Sequence, residues 1–303
     1  MNKKAKFLII PFVLCLLLAI IPSATAEGTA PIAKNLEIRT YREVSVGGTL
    51  SATDPDGECV VFEITTAPVK GTVELNDDGT FVYTPKEGKR GKDYFGYRAV
   101  DESGSKSQEA TVLISIEKQK TKVTYSDMNG NGAHYAAIAL SEHGIYTGAQ
   151  IAGNYVFSPD APITRSEFLA MCMLISGEET LSGIDATSFK DDKNIDEWAK
   201  PYVSTAVMCG VVSGYVTSED GAVFRPADAI SMSEAVVMLD NALDLTDCFY
   251  VESSASPSWY GQAAANLASC SILPYGTEIT EEVLTRADAA QMLISAMNVL
   301  KSR

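Results

Sequence analysis

Ile163-Thr164-Arg165-Ser166-Glu167 is echoed further along the chain by Ile230-Ser231-Met232-Ser233-Glu234 and Leu284-Thr285-Arg286-Ala287-Asp288. Each copy reads apolar, hydroxyl, variable, small, acid, and each opens an apolar-periodic segment. A hydroxyl followed three residues later by an acid is a capping box: the hydroxyl oxygen accepts an orphan backbone N–H, and the acid reaches back to the cap. Thr164, Ser231 and Thr285 are therefore expected as N-caps, with Glu167, Glu234 and Asp288 as their partners. The residue after the cap needs a separate reason. Arginine there sets positive charge against the positive end of the helix dipole, which costs stability. A helix start with unpaired N–H groups and a guanidinium beside them suits an anion, above all a carboxylate. The plain alternative is an exposed arginine with no task. Recurrence argues against it: residues 123–303 contain only Arg165, Arg225, Arg286 and Arg303, and two of these hold the same repeat position. Met232 takes that place in the middle copy, so the middle site is expected to be weaker or absent.

Three units surround these boxes, at residues 123–178, 188–245 and 256–301. The first runs from Tyr125-Ser126-Asp127 through Gly144–Gly148 and Phe157-Ser158-Pro159 to the helix after Thr164. The second runs from Phe189-Lys190-Asp191 through Trp198, Gly210–Gly214 and Phe224-Arg225-Pro226 to the helix after Ser231. The third begins near Trp259-Tyr260 and passes Ser271–Gly276 to the helix after Thr285. Each unit thus reads helix, glycine-bounded loop, capping box, helix, and repetition at such a period marks a repeat architecture. Stripes such as Phe168, Met171, Cys172, Ile175 and Ala289, Met292, Leu293, Ala296 give the second helices one apolar face. No unit can bury its face alone, so the three should share one core.

These features resemble the S-layer homology repeat: the aromatic-x-Asp openings at Asp127 and Asp191, Trp198 and Trp259 at the first helix, the Phe-x-Pro turns, and the Thr-Arg-Ser/Ala-acid cores. The resemblance covers about residues 123–301. It implies an all-α, pseudo-threefold unit whose inter-repeat grooves hold pyruvylated secondary cell-wall polysaccharide, the arginine contacting the acidic sugar. On that reading Arg165, Arg286, Thr164, Thr285, Trp198, Trp259, Asp127 and Asp191 are the candidate ligand-binding residues. Burial in the core is the plain alternative for the tryptophans. The copies depart from the pattern in places. Counting back from Gly144, the first unit has Gly132 where the others have Trp; the third lacks the aromatic-x-Asp opening, and the second lacks Arg. No more than two competent grooves are expected.

Residues 28–117 show no helical period. Strand-like runs at Val44–Leu50, Val60–Thr65, Gly71–Leu75, Thr80–Thr84, Asp93–Val100 and Ala110–Ile116 are separated by turn sequences such as Asp54-Pro55-Asp56-Gly57 and Asn76-Asp77-Asp78-Gly79. Short strands at this spacing predict a β-sandwich. Phe81 with Tyr83 and Phe95 with Tyr97 fall on one face of their strands and are expected in its core. The turns, Lys70-Gly71-Thr72-Val73, Asp78–Pro85 and Gly91–Tyr97 resemble the bacterial immunoglobulin-like or cadherin-like domains of surface proteins. Some such domains hold calcium, and Asp54, Asp56, Glu58 and Asp101 are the residues that could gather around a hard cation; ordinary turn chemistry accounts for the same run. Residues 118–122 are polar and read as a linker. The whole is a multidomain chain, an all-β sandwich followed by a helical repeat unit.

Lys3, Lys4 and Lys6, the apolar run Phe7–Ile21 and Ser23-Ala24-Thr25-Ala26 form a secretory signal peptide over residues 1–26. No later run is long enough to span a membrane, so no membrane partner is expected after cleavage. Cys59, Cys172, Cys209, Cys248 and Cys270 remain, an odd number without CxxC spacing, which makes a poor disulfide framework or metal site and leaves room for one disulfide. Cys172, Cys209 and Cys270 fall on apolar helical faces and read as small buried hydrophobes. Residues 123–303 carry 8 basic and 23 acidic side chains, a balance that excludes nucleic acid and anionic lipid as partners. An anionic ligand would have to be held by local donors. Together these readings point to a secreted, non-catalytic protein of the bacterial cell wall or surface layer, needing no cofactor. An adhesin or surface-assembly subunit, with the sandwich self-associating or binding a protein or glycan, is the alternative. A wall-glycan hydrolase would need a paired acid and base in a cleft, and the two histidines, His134 and His143, come with no catalytic motif.

Overall fold

The computed structural model describes residues 28–217, 221–250, 258–274 and 277–302; the expected signal peptide lies outside them. The first half is a sandwich of two main sheets. Its strands are β1 (Ile32–Ala33), β2 (Leu36–Tyr41), β3 (Val46–Thr49), β4 (Ala52–Thr53), β5 (Val60–Thr66), β6 (Gly71–Leu75), β7 (Thr80–Pro85), β8 (Gly91–Asp101) and β9 (Ala110–Glu117). One sheet has the order β2-β9-β8-β5, with β2 parallel to β9, and the other the order β3-β7-β6; β1 pairs with β4. The six expected strands are all present. Phe81, Tyr83, Phe95 and Tyr97 are buried between the sheets, Phe81 meeting Phe95 edge-on at 5.2 Å. Their polar ends are satisfied, the Tyr83 hydroxyl donating to Asp93 at 2.8 Å as buried hydroxyls must. Strands β1, β2 and β4 were not anticipated. β1 and β4 are two residues each, and β2 places Glu37 and Arg39 on its exposed face, so none shows a strong apolar run.

The second half contains α1 (His134–Glu142), β10 (Ala149–Ile151), β11 (Asn154–Val156), α2 (Arg165–Ser176), α3 (Lys200–Met208), β12 (Tyr215–Thr217), β13 (Gly221–Val223), α4 (Met232–Leu243), α5 (Gly261–Ser269) and α6 (Arg286–Ser302). The helices fall where the periods put them, but the region is not purely α-helical. Directly after the glycine-bounded loops of the first two units, the chain forms the hairpins β10–β11 and β12–β13. Their residues lie partly exposed, so they lacked a buried alternating pattern to read.

The capping boxes form as expected at α2 and α4: Thr164 and Ser231 accept from the N–H groups of Glu167 and Glu234, whose side chains return to the caps. At α6 the N–H of Asp288 donates to the Thr285 hydroxyl at 3.2 Å. The residue before each cap ties the units together. Ile163 N–H donates to the Leu284 carbonyl at 3.2 Å, Leu284 N–H to Ile230 at 2.9 Å, and Ile230 N–H to Ile163 at 3.0 Å. This closed ring joins equivalent residues of the three units, all buried. Residues one and two positions beyond the caps repeat the pattern: Arg165, Met232 and Arg286 donate to Asp228, Glu282 and Ala161, and Ser166, Ser233 and Ala287 donate to Pro226, Thr280 and Pro159. First-turn N–H groups that a helix leaves without internal partners are thus paired with the neighbouring unit. Helices α2, α4 and α6 surround this ring, while α3 packs on α2, α5 on α4 and α1 on α6. One continuous apolar core runs through all three units.

The two halves meet directly. Tyr41 and Val44 of the sandwich belong to the helical core, and the Tyr41 hydroxyl donates to Glu142 at 2.7 Å. The short linker is held by the same carboxylate, which accepts from the N–H groups of Lys120 and Thr121. The cysteines carry no disulfide among the described residues. Cys172 is buried, which pushes its thiol pKa up. Cys209 and Cys270, expected to be buried, sit at the C-caps of their helices: Cys209 is exposed, and Cys270 is half-buried against the helical core.

Candidate functional site

Arg165 and Arg286 occupy equivalent places and make equivalent bonds. Arg165 Nε donates to the Phe224 carbonyl at 3.1 Å, and its Nη1 lies 3.2 Å from Glu234 Oε2. Arg286 Nη1 donates to the Phe157 carbonyl at 3.0 Å, with Nη2 3.9 Å from Glu167 Oε1. Each guanidinium therefore crosses from its own unit to the aromatic turn and capping acid of the next. Both guanidinium groups are engaged within the protein. Arg165 is only 5% exposed; burial holds its pKa down, opposed by Glu234. Arg286 is less completely paired, because its Nε is buried without a hydrogen-bond partner among the described residues.

Aromatic rings complete the surroundings. Arg165 lies 4.7 Å from the centre of the Tyr215 ring, and Arg225 4.5 Å from it, so the ring carries two cations. The Tyr215 hydroxyl bonds Glu234. Arg286 lies over Tyr146 at 5.6 Å. Cation–π contact is favourable in such semi-buried places. Beside Arg165 opens a cleft of about 180 Å³, lined by Tyr215, Glu234, Val237, Asn241 and, from the third unit, Trp259. Trp259 is 59% exposed and Trp198 49%, so the tryptophans are not core residues. Tyr215 and Arg225 were not singled out as site residues in the sequence. The adjacent Phe224-Arg225-Pro226 turn, with one of only four arginines in the acidic half, was the available signal.

The remaining candidates have structural tasks. Asp127 accepts from the N–H groups of Phe157 and Ser158 at 3.0 and 2.6 Å, and Asp191 from those of Phe224 and Arg225 at 2.8 and 2.7 Å. Ser158 and Arg225 have φ of 58°, a left-handed conformation that is uncommon outside glycine. The two aspartates lock these turns and so fix the carbonyls of Phe157 and Phe224 that receive the arginines. Thr164 and Thr285 are engaged as caps. The calcium candidates are held in turn hydrogen bonds, and one carboxylate oxygen of each of Asp54 and Asp101 is buried without a hydrogen-bond partner among the described residues. Asp54 accepts from Asp56 and Glu58 N–H within its own turn, Asp56 bonds Thr29, and Asp101 accepts from Ser103 and Ser105. Among the described residues no three acidic, His or Cys side chains gather into a metal site. No described helix is long and apolar enough to cross a membrane.

Comparison with known proteins agrees with this architecture. A family profile for the bacterial cadherin-like domain matches residues 28–118, and one for the S-layer homology domain matches residues 188–235. The chain is 31% identical over 130 residues to "Cell surface glycoprotein 1" of Acetivibrio thermocellus, which covers 40% of this chain and 5% of that protein. It is 28% identical over 158 residues to "Surface-layer 125 kDa protein" of Lysinibacillus sphaericus, covering 48% and 13%. It is 31% identical over 138 residues to "Exoglucanase XynX" of Acetivibrio thermocellus, covering 44% and 12%. The chain thus spans only a small part of the length of the curated relatives it matches. It carries a bacterial cadherin-like domain and S-layer homology sequence, the pairing of a secreted, cell-wall-associated surface protein.

Proposed function

We propose that the chain is a non-catalytic wall anchor whose helical units, at residues 123–178, 188–245 and 256–301, form a pseudo-threefold body that binds acidic secondary cell-wall polysaccharide and displays the sandwich, residues 28–117. The reading rests above all on the cleft that is lined by both the buried Arg165 and the exposed Trp259. There an apolar sugar face would lie on the indole, and a carboxylate such as a pyruvyl group would reach the guanidinium edge left by Phe224 and Glu234. Arg225, 4.5 Å from the centre of the Tyr215 ring, adds a second cation in a strongly acidic half. By repeat equivalence Arg286 and Trp198 line a second groove, and the unpartnered Nε of Arg286 is a donor that an incoming acceptor would satisfy.

The test is co-sedimentation of the mature chain with wall sacculi, before and after removal of the secondary polymer. Arg165→Met and Arg286→Met are the informative variants, since methionine occupies the same place at Met232. Polymer-dependent retention that falls in each single variant and is lost in the double variant is expected. Retention that ignores the polymer, or a double variant retained like the parent, overturns the reading.

A further inference from the structure

The three units define three equivalent grooves, and the third is filled by the chain itself. In the Arg165 cleft the walls are the guanidinium of one unit, the helix α4 of the next, including Val237, and Trp259 of the one after. Moving each wall on by one unit gives Met232, Gln291 of α6 and Gly132. Gln291 stands six residues after its cap Thr285, as Val237 does after Ser231; Gly132 stands twelve residues before Gly144, as Trp259 does before Ser271. Gly144 and Ser271 share a left-handed backbone, with φ of 69° and 60°, which supports the equivalence.

Strand β3 of the sandwich lies in that place. Gly47 N–H donates to the Gly132 carbonyl at 2.7 Å, and Tyr135 N–H donates to the Ser45 carbonyl at 3.1 Å. The second bond satisfies a first-turn donor of α1 with a carbonyl from the other domain. A Cβ on Gly132 would lie 3.3 Å from Gly47 Cα and 3.4 Å from Val82 Cγ2; one on Gly47 would lie 3.3 Å from Gln291 Nε2. There is no room for an indole. Around this backbone contact the Tyr41 ring meets that of Tyr135 in a tilted contact at 5.2 Å, and its hydroxyl donates to Glu142.

We propose that this groove is a socket for the sandwich, and that Gly132 and Met232, two of the three departures from the repeat pattern, are its matched adaptations. Glycine in place of tryptophan admits the β3 backbone. Methionine in place of arginine leaves no anion-binding cation in a groove that the sandwich occupies. The sandwich is thereby held rigidly on the first unit, and the body offers two open grooves rather than three. The proposal depends on the arrangement of the units and not on what the open grooves bind, and its test uses no glycan.

The experiment is amide hydrogen exchange on the mature chain, comparing Gly47 and Tyr135 with Val112 inside the sandwich and Ile230 in the helical ring. In the parent all four should be protected. In Gly132→Trp, Gly47 and Tyr135 should exchange about tenfold faster or more, with Val112 and Ile230 unchanged and the solution radius of gyration increased. Glu142→Ala, which adds no bulk, should accelerate the same two amides with the same two controls unchanged; it keeps the test open if Gly132→Trp does not fold. Unprotected Gly47 and Tyr135 in the parent, or protection unchanged in whichever of the two variants folds, overturns the proposal.

Discussion

Replacing Arg165 by methionine separates the structural from the ligand-binding role of that side chain. Its Nη1 lies 3.2 Å from Glu234 Oε2, with side-chain exposures of 7% and 20%. At an effective dielectric of about 20, opposite charges about 4 Å apart attract by roughly 4 kcal/mol, and desolvation of both groups consumes part of this. Removing one member of a buried pair costs about 3–5 kcal/mol. The lower end is expected here because Glu234 keeps bonds to Tyr215 and to the N–H of Ser231. Glu234→Gln is the right partner mutation, since glutamine preserves the capping box. A double-mutant cycle should then give a coupling of about 2 kcal/mol for Arg165–Glu234. The equivalent Arg286–Glu167 pair is longer, at 3.9 Å, and more exposed; its coupling should stay below about 1 kcal/mol. Urea unfolding followed by tryptophan fluorescence is a suitable assay, because both tryptophans lie in the helical half. An Arg165→Met cost below about 1 kcal/mol, or equal coupling in the two pairs, would refute the reasoning.

Two further outcomes follow from His134 and Asp191. His134 is buried and its pKa is pushed down to about 4, so between that value and its unfolded pKa near 6.5 the unfolded chain binds more protons. Stability should therefore fall as pH drops through this window, by about 2 kcal/mol between pH 7 and pH 5; in His134→Gln this part of the pH dependence of the urea midpoint should vanish, and an unchanged profile would count against it. Asp191→Ala removes two charge-assisted bonds that hold the turn at Arg225 and should cost roughly 2–4 kcal/mol, while weakening the Arg165–Phe224 contact. Differential scanning calorimetry measures the first effect, and a loss below about 1 kcal/mol would show the turn to be held by other means.

Six of the sandwich strands, the second helices of each unit and the capping boxes were legible because their determinants are local: a two-residue alternation, a helical stripe, a hydroxyl three residues from an acid. The hairpins β10–β11 and β12–β13 escaped notice because neither buries an alternating face. Arg165 and Arg286 stand out in the sequence as a recurring pair, but their partners within the protein, Phe224 and Phe157, lie 59 and 129 residues away in sequence. Nothing in a linear pattern states that the capping acid of one unit will face the arginine of another. Likewise Asp127 and Asp191 were visible as repeated residues, yet only their bonds to the turns show that they set the carbonyls that receive the arginines.

What the sequence determined by itself was the number of units, their caps, the sandwich ahead of them and the three positions where the repeats disagree. What the tertiary structure decided was the meaning of those disagreements. Ring closure brings Ile163, Ile230 and Leu284 into mutual hydrogen bonding, and this sets which unit walls which groove. Contact between Gly47 and Gly132 then decides which groove the sandwich fills. Caps and stripes are written in neighbouring residues; groove occupancy depends on surfaces that meet only after the chain has closed on itself.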